Sequence, residues 1–202
     1  MQGLKKGDRV AYLSPRSYAE YTAVQENQVT KIGDGISFEV AAASILQGMT
    51  AFMLTKEATV VKPHDFVLIH AAAGGMGQWL CQVCSQLGAK VIGTVSSEEK
   101  AKEAKKCGAH SIINYSTEDV AERVKEITEG KGVNVVIDGV GQSTFDASLN
   151  SLARRGVFLS YGNASGKVPP LDILRLSKNC IQLQRPTLFE YIQTKEEFQK
   201  RT

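Results

Sequence analysis

Short apolar runs alternate with stretches of helical periodicity from residue 65 onward. Apolar runs bounded by turn residues are typical of buried parallel strands, and the periodic stretches between them are typical of crossover helices. The pattern predicts six strands, at residues 65–71, 90–95, 111–114, 133–138, 156–161 and 180–183. It predicts four helices between them, at residues 76–87, 98–106, 118–129 and 143–153. We therefore predict an α/β fold on a doubly wound parallel sheet of order 3-2-1-4-5-6, with a ligand crevice at the carboxyl ends of strands one and four.

The first 37 residues follow a different pattern. Residues 8–13 and 18–24 alternate as strands on either side of the turn at residues 14–17. Two or three antiparallel strands do not form a stable domain by themselves. We therefore predict that residues 1–37 are the remnant of a β-rich domain whose start lies before Met1. A helix beginning near Ser37 would connect it to a dinucleotide-binding domain over residues 38–202.

Composition and charge exclude several classes of protein. The chain has 202 residues, 43% of them hydrophobic, and 24 basic and 21 acidic residues that are mostly interspersed. A net charge of +3 is too small to favour a nucleic-acid groove or a polybasic membrane patch. The most apolar stretch, Val40 to Leu54, is shorter than the roughly 20 residues that a membrane span needs. We therefore expect a soluble protein. The four cysteines are too few for a disulfide scaffold, so we also expect a cytoplasmic location.

The first predicted strand of the sheet runs directly into a glycine-rich turn. The sequence from Ala72 to Gly77 reads A-A-G-G-M-G, and a long predicted helix follows. Gly74 would let the backbone approach a pyrophosphate, and Gly77 would let the helix pack closely on the strand. Free N–H groups and the positive end of the helix dipole favour phosphate at this point. Ala72 stands where the first glycine usually lies, and a turn required only for tight packing is the alternative explanation.

The end of the second strand indicates which nicotinamide cofactor binds. An acidic side chain there would bind the ribose 2′-hydroxyl of NAD and repel a 2′-phosphate. This chain has Ser96 and Ser97 instead, and Lys100 follows one helical turn later. Two hydroxyls and an ammonium group can hold a phosphate dianion, so the residues favour NADPH. The alternative is that a serine only caps the helix and Lys100 is one of several solvated lysines.

Several motifs occur in the order and spacing of one known family. They are His70 to Gly77, Gly88 to Thr94, Asp138 to Gly141, and Arg155-Gly156 leading to Ser160 to Gly166. With these motifs the chain resembles the quinone oxidoreductases, the zeta-crystallin-like, zinc-free branch of the medium-chain dehydrogenase/reductase superfamily. The resemblance covers nearly the whole chain. It implies a Rossmann domain preceded by the remnant of a GroES-like barrel, NADPH-dependent reduction of a quinone, and a homodimer paired through edge strands.

The resemblance also assigns cofactor-binding residues. It places Gly75, Met76 and Gly77, beside Gly74, at the pyrophosphate. It places residues around the adenosine 2′-phosphate at Ser96, Ser97, Lys100 and Tyr115. On the nicotinamide side it implies Thr50, Gly139, Tyr161, Gly162, Asn163 and Ala164. Met53 departs from the aromatic residue that the family commonly has three positions after the threonine.

The same resemblance implies parts of the family fold outside this chain. The first barrel strands would precede Met1, and a last helix and strand would follow Thr202, so the chain alone is not expected to be active. An enoyl or alkenal double-bond reductase on the same scaffold is the nearest alternative function. A truncated, non-catalytic NADPH-binding module, or one that binds RNA, is the second alternative, although the near-neutral charge argues against a nucleic-acid partner.

No residue of the chain is predicted to be a metal ligand or a catalytic acid or base. Cys81 and Cys84 have C-x-x-C spacing inside a predicted helix, without a second pair, and we interpret them as buried packing residues. Gln47 stands near where zinc-dependent relatives would have a cysteine. His70 is interpreted as a hydrogen-bonded histidine at a strand end. Hydride transfer from a nicotinamide needs orientation and exclusion of water, and it needs no protein nucleophile.

Overall fold

The structure, a computed structural model, describes residues 3–202. It contains strands and α-helices that we number in chain order: β1 (Val10–Tyr12), β2 (Val29–Lys31), α1 (Phe38–Met53), β3 (Phe66–Ile69), α2 (Gly75–Gln86), β4 (Lys90–Val95), α3 (Glu98–Lys106), β5 (Ser111–Asn114), α4 (Val120–Ile127), β6 (Val133–Asp138), α5 (Phe145–Ser151), β7 (Leu152–Ser160), β8 (Gln182–Gln184) and α6 (Lys195–Arg201). Two compact units result. The first consists of the described residues up to Met53 together with Thr187–Thr202, and the second is Leu54–Pro186.

The second unit is a six-stranded sheet of order β5-β4-β3-β6-β7-β8 in which every pair is parallel. In order of appearance along the chain these strands are 3-2-1-4-5-6, as the sequence predicts. Helices α2 and α3 pack together beside β3, β4 and β5, while α4 and α5 pack together beside β5, β6 and β7. The predicted doubly wound Rossmann fold is therefore confirmed.

Apolar side chains cover the sheet and the helices that pack on it. One cluster joins β3, β4 and β6 to α4 and α5, and it includes Leu68, Ile92, Val136, Val124 and Phe145, all buried. The Phe145 ring lies 5.4 Å from the ring of Phe158. In α2, Leu80, Cys81 and Cys84 are completely buried. This packing fixes the strand ends from which the candidate site is built.

Strand β7 begins earlier than predicted. Leu152 follows α5 directly and pairs with Val133, and the register then shifts before Val135 pairs with Val157. Arg155 takes a left-handed conformation within this strand, with φ of 62°. The irregularity accommodates an extra stretch of chain that the apolar pattern from Gly156 onward does not reveal.

The first unit pairs β1 with β2 in antiparallel register. Arg9 donates to Ile36 O at 2.5 Å, and its guanidinium lies 4.6 Å above the Phe38 ring at the start of α1. The predicted strand at residues 18–24 is wrong, because residues 18–21 form bends, residues 22–24 are irregular, and the partner of β1 is Val29–Lys31. Tyr18 and Tyr21, which suggested strand alternation, are exposed and contribute no buried face.

The helix that begins at Phe38 continues past α1 through a π-helical turn at Leu54–Ala58. The whole stretch has 21 residues and is long and apolar enough to cross a membrane by length and composition alone. A core helix of a soluble protein meets the same criterion. The prediction that this stretch is too short for a span is wrong about its length, because the helix begins before Val40 and continues beyond Leu54.

The division into compact units differs from the predicted boundary after residue 37. Helix α1 belongs to the first unit, as do α6 and the 3₁₀ turn Leu188–Tyr191. Lys195 Nζ in α6 forms an ion pair with Glu26 Oε1 at 2.7 Å. This pair links the C-terminal helix to the segment before β2 within that unit. The assignment of residues 1–37 to a GroES-like domain, and of residues 38–202 to a dinucleotide-binding domain, remains a prediction.

Candidate cofactor-binding site

The glycine-rich turn connects β3 to α2 at the carboxyl end of the sheet. Ala71 takes a left-handed conformation, with φ of 50°, and Gly74 N donates to its carbonyl at 2.9 Å. Gly74 is the N-cap residue of α2 and has no side chain with which to cap it. Backbone N–H groups at the start of α2 are therefore available to an anion, as a pyrophosphate site requires.

Close packing within the turn depends on two positions without a Cβ atom. A Cβ added to Gly77 would lie 2.6 Å from Ala72 Cα, so only glycine allows α2 to approach the turn this closely. A Cβ added to Gly93 in β4 would lie 2.7 Å from the Ala72 methyl group. Gly93 thus leaves room for Ala72, which explains why alanine is accommodated where the motif usually has its first glycine.

The loop after β4 has the polar groups expected of a 2′-phosphate site. Lys100 Nζ donates to Ser96 Oγ at 3.0 Å. Ser97 Oγ accepts from Lys100 N at 3.3 Å and caps α3, so the capping explanation holds for Ser97. Ser116, which follows the exposed Tyr115, donates to Ser96 O at 3.2 Å and braces this loop from the end of β5. The Ser96 hydroxyl and the Lys100 ammonium group therefore lie together at the surface, where a phosphate can reach both.

The loops after β6 and β7 form one hydrogen-bonded layer. Ala164 N donates to Gly139 O at 3.2 Å, and Ser165 N donates to Val140 O at 2.8 Å. The Tyr161 ring packs over Gly139, where an added Cβ would lie 2.7 Å from the phenol. A Cβ on Gly162 would lie 2.9 Å from Gly139 Cα. These close approaches bring four of the six residues predicted on the nicotinamide side to the same strand ends: Gly139, Tyr161, Gly162 and Ala164.

Arg185, just after β8, holds the loop that follows β7. Its Nη1 donates at 3.0 Å to Ser160 O, Ser160 Oγ and Gly162 O. The Asn163 amide, oriented to satisfy both of its ends, donates to Gly162 O at 2.8 Å and accepts from Arg185 Nη2 at 3.2 Å. Asn163 therefore lies in the same loop, with its side chain turned toward the supporting arginine.

Asp138 ends β6 and is completely buried. Val140 N and Gly141 N donate to its Oδ1, at 2.7 and 3.2 Å. Thr144 Oγ1 and Ser148 Oγ donate to its Oδ2, at 2.7 and 3.2 Å. Such a convergence of donors is the usual way for a protein to accommodate a buried carboxylate. Asp138 thereby fixes the turn that leads into the nicotinamide-side loop.

His70 follows β3 and is buried between two hydroxyl groups. Its Nε2 lies 3.0 Å from Ser148 Oγ, and its Nδ1 lies 3.1 Å from Thr94 Oγ1. Because Ser148 gives its proton to Asp138, it accepts from Nε2–H, and Nδ1 then accepts from Thr94. Burial lowers the pKa of His70 more than the charge of Asp138 raises it, so the ring is neutral at pH 7. The interpretation of His70 as a hydrogen-bonded structural histidine agrees with this geometry.

Tyr161 keeps its proton in this environment. Burial, and secondarily the negative charge of Asp138, raises the pKa of its phenol to about 12. The hydroxyl group therefore remains a neutral donor across the physiological range.

Thr50, the remaining predicted site residue, lies in α1 of the first unit. Its hydroxyl donates to Leu46 O at 2.7 Å within the helix. The other predicted residues lie in the second unit, at the carboxyl ends of β3 to β7, in the loops that follow them, or in the first turns of α2 and α3. Sequence reasoning missed Thr94, Ser148 and Arg185 as supports. For Asp138, the available signal was a single carboxylate directly after the apolar run of β6.

The cysteines and acidic residues form no metal site in the part of the chain that the structure describes. No three or more His, Cys, Asp or Glu side chains of residues 3–202 come together as a metal would need. Burial raises the pKa of Cys81 and of Cys84 to about 12 each. Both thiols therefore stay protonated, which fits a packing role inside α2.

Comparison with known proteins places the chain among dehydrogenases. The sequence profile of a family described as zinc-binding dehydrogenase matches residues 75–200. The quinone oxidoreductase of Salmonella typhimurium is 46% identical over 98% of this chain and 61% of its own length. The 2-haloacrylate reductase of a Burkholderia species is 42% identical over 95% of this chain and 59% of its own length. The chain thus spans about three fifths of these curated relatives.

Solved structures agree with this assignment. The quinone oxidoreductase of Pseudomonas syringae pv. Tomato DC3000 aligns with a TM-score of 0.95 at 46% identity, over 98% of this chain and 62% of that one. The Escherichia coli quinone oxidoreductase complexed with NADPH aligns with a TM-score of 0.89 at 41% identity, over 100% of this chain and 63% of that one. Although the family is described as zinc-binding, the described residues offer no cluster of His, Cys, Asp and Glu side chains that could serve as a zinc ligand set. The chain belongs to the zinc-binding dehydrogenase family, in the quinone oxidoreductase branch of the medium-chain dehydrogenase/reductase superfamily.

Proposed function

We propose that the protein is an NADPH-dependent quinone oxidoreductase. The observation that carries the proposal is the hydrogen-bonded pair of Lys100 and Ser96 after β4. The neighbouring strand, β3, ends in the glycine-rich turn, whose close packing requires glycine at position 77. The relatives named quinone oxidoreductase, one of them solved with NADPH, support it. The ammonium group of Lys100 beside the Ser96 hydroxyl, and the absence of an acidic residue directly after β4, both favour a 2′-phosphate over a 2′-hydroxyl.

Under this proposal the second unit binds the cofactor along the carboxyl ends of its strands. Gly75, Met76 and Gly77 bind the pyrophosphate with backbone N–H groups. Gly74, whose own N–H donates to Ala71 O, lets the backbone approach the pyrophosphate closely. Residues that bind the 2′-phosphate and its nucleoside are Ser96, Ser97, Lys100 and Tyr115. Residues beside the nicotinamide half are Thr50, Gly139, Tyr161, Gly162, Asn163 and Ala164. Ser97 Oγ accepts from Lys100 N as the cap of α3, and its O–H proton is left to donate to the phosphate.

Bound NADPH would supply the hydride. The residues of the chain bind, orient and exclude water, and none acts as a nucleophile. The loop held by Arg185 and Asp138 fixes the angle at which a planar acceptor meets the nicotinamide face. Tyr161 stays protonated and serves as a donor or as a wall of the crevice. The oxyanion of a reduced quinone takes its proton from solvent.

Reduction of a conjugated carbon–carbon double bond is the second candidate function. It is favoured by one observation, the 42% identity to a 2-haloacrylate reductase. Both reactions begin with hydride addition to an electron-poor acceptor, and the described residues of the crevice suit either one.

A substrate panel separates the two candidates. NADPH oxidation is measured with quinones, 2-haloacrylates, alkenals, simple alcohols and simple aldehydes, using this chain and, where it is part of a longer protein, that protein. The proposal expects turnover with quinones and with NADPH in preference to NADH. Turnover confined to haloacrylates or alkenals would establish the second candidate instead. NADPH binding without any turnover would leave a non-catalytic binding module.

We further propose that the protein is a cytoplasmic homodimer. Strand β8 is hydrogen-bonded only to β7 among the described strands, which supports pairing of its other edge with a second copy. Free thiols at Cys81, Cys84, Cys107 and Cys180 support a reducing compartment. Sedimentation equilibrium tests the dimer, and a measured mass equal to that of one chain would contradict it.

A further inference from the structure

A chain of buried hydrogen bonds links the carboxyl ends of two neighbouring strands below the candidate crevice. It runs from His70 at the end of β3, through Ser148 on α5, to Asp138 at the end of β6. Strands β3 and β6 are neighbours at the point where the strand order reverses, and ligands of doubly wound sheets bind above this point. All three side chains are buried, with exposed fractions of 2%, 0% and 0% respectively.

We propose that His70, Ser148 and Asp138 are positioning residues. They fix the position of the pyrophosphate turn relative to the nicotinamide-side loop, so that a single dinucleotide can reach both. This inference rests on the proposed function and extends it from the residues that touch the cofactor to those that align them.

Asp138 fixes the position of the turn on the nicotinamide side of the crevice. Its carboxylate holds Val140 N and Gly141 N, and the chain at that turn is bonded to the loop after β7. Ser165 donates to Val140 O twice, from its N at 2.8 Å and from its Oγ at 2.9 Å, and Gln142 N donates to Gly166 O at 3.2 Å. A shift of the Asp138 carboxylate would therefore move both loops together.

His70 supports the glycine-rich turn on the pyrophosphate side of the crevice. It directly precedes Ala71, whose left-handed conformation starts the glycine turn. Its Nδ1 is bonded to Thr94 Oγ1 in β4, and Thr94 O accepts from Ala72 N at 3.0 Å. The imidazole thus helps to hold Thr94, which supports the turn through its carbonyl and lies two residues before Ser96 in the chain.

Ser148 is the side chain that connects the two sides. It accepts from His70 Nε2–H and donates to Asp138 Oδ2, so removal of its hydroxyl cuts the link while leaving three donors on Asp138 and one on His70. A second buried serine of α5 provides a matched control. The hydroxyl of Ser151 donates only to Ala147 O in its own helix, at 2.7 Å.

The test compares Ser148→Ala with Ser151→Ala in calorimetric titrations with NADPH and with 2′-phospho-ADP-ribose, which lacks the nicotinamide. We expect Ser148→Ala to weaken NADPH binding about tenfold, the size of one hydrogen bond to a charged group, and the shorter ligand by less than about threefold. Ser151→Ala should leave the ratio of the two affinities as in the wild type. A purely structural role for Ser148 would weaken both ligands equally.

Hydrogen exchange provides a second measurement that needs no cofactor. Ser148→Ala should speed exchange of the amides of Val140, Gly141 and Ser165 relative to Ser151→Ala, with α2 and β4 unaffected. Equal affinity ratios and equal exchange in the two variants would overturn the positioning role while wild-type NADPH binding stands. Failure of the wild type to bind NADPH would instead overturn the proposed function.

Discussion

Gly77 packs so closely on Ala72 that a methyl group at position 77 would lie 2.6 Å from Ala72 Cα and 2.7 Å from Ala72 C. Both atoms belong to the backbone of the turn, so no side chain can move aside to relieve the contact. The glycine is therefore required by the approach of α2 to the turn that precedes it. The same approach directs the N–H groups of the helix toward the crevice.

Gly77→Ala should destabilise the second unit by about 1–3 kcal/mol, the usual cost of overpacking, and should abolish NADPH binding. Urea unfolding and a binding titration measure the two effects. Gly35→Ala is the control, because a Cβ at Gly35 would meet no atom within 4 Å. Wild-type binding by Gly77→Ala would show that the turn does not hold the pyrophosphate.

The parallel sheet was predictable because its strands are continuous apolar runs and its helices are periodic. Strand order followed from the handedness of the crossovers. The partner of β1 was not predictable, because residues 18–24 alternate like a strand without burying a face. In the site, the turn at Gly74 to Gly77 could be found from sequence, since its residues are adjacent. The contacts among His70, Thr94, Asp138 and Ser148 could not, because tertiary structure alone brings these distant positions together.

Arg185→Met should lower the stability of the second unit by about 1–3 kcal/mol, because three carbonyl or hydroxyl oxygens around the β7 loop lose their donor. Thermal unfolding measures the change, and weaker NADPH binding should accompany it. Arg154→Met removes an exposed arginine from β7 and should change neither quantity by a measurable amount. Equal melting temperatures for the two variants would contradict the role of Arg185.

Stability should fall as the pH drops below the ordinary pKa of histidine, about 6.5, because His70 is buried as the neutral form. Its folded-state pKa is lowered, so below pH 6.5 the unfolded chain binds a proton that the folded chain does not. Each such proton contributes a slope of up to about 1.4 kcal/mol per pH unit. Denaturant unfolding between pH 7 and pH 5 should show this slope in the wild type.

His70→Gln should flatten that slope even though it lowers stability overall. His64→Asn serves as the comparison, since His64 is exposed and asparagine tolerates its φ of 70°. Identical slopes in the wild type and in His70→Gln would show that the buried imidazole does not cause the loss at acidic pH.

Cys81 and Cys84 should resist thiol reagents at pH 8 in the folded protein, because burial raises their pKa to about 12 and closes access. Cys180 is exposed and should react first. Mass spectrometry after brief alkylation identifies the modified positions, and unfolding in urea should release the remaining thiols. Rapid modification of Cys81 or Cys84 in the native state would contradict the packing role of the C-x-x-C pair.

The most direct measurement is a calorimetric titration of the chain with NADPH and, separately, with NADH. The account predicts tighter binding of NADPH, and a loss of about tenfold or more in Lys100→Ala that leaves NADH binding unchanged. Lys102→Ala, which removes an exposed lysine of the same helix, should behave as the wild type. Equal affinity for the two cofactors, or an unchanged NADPH affinity in Lys100→Ala, would contradict the assignment of the 2′-phosphate site.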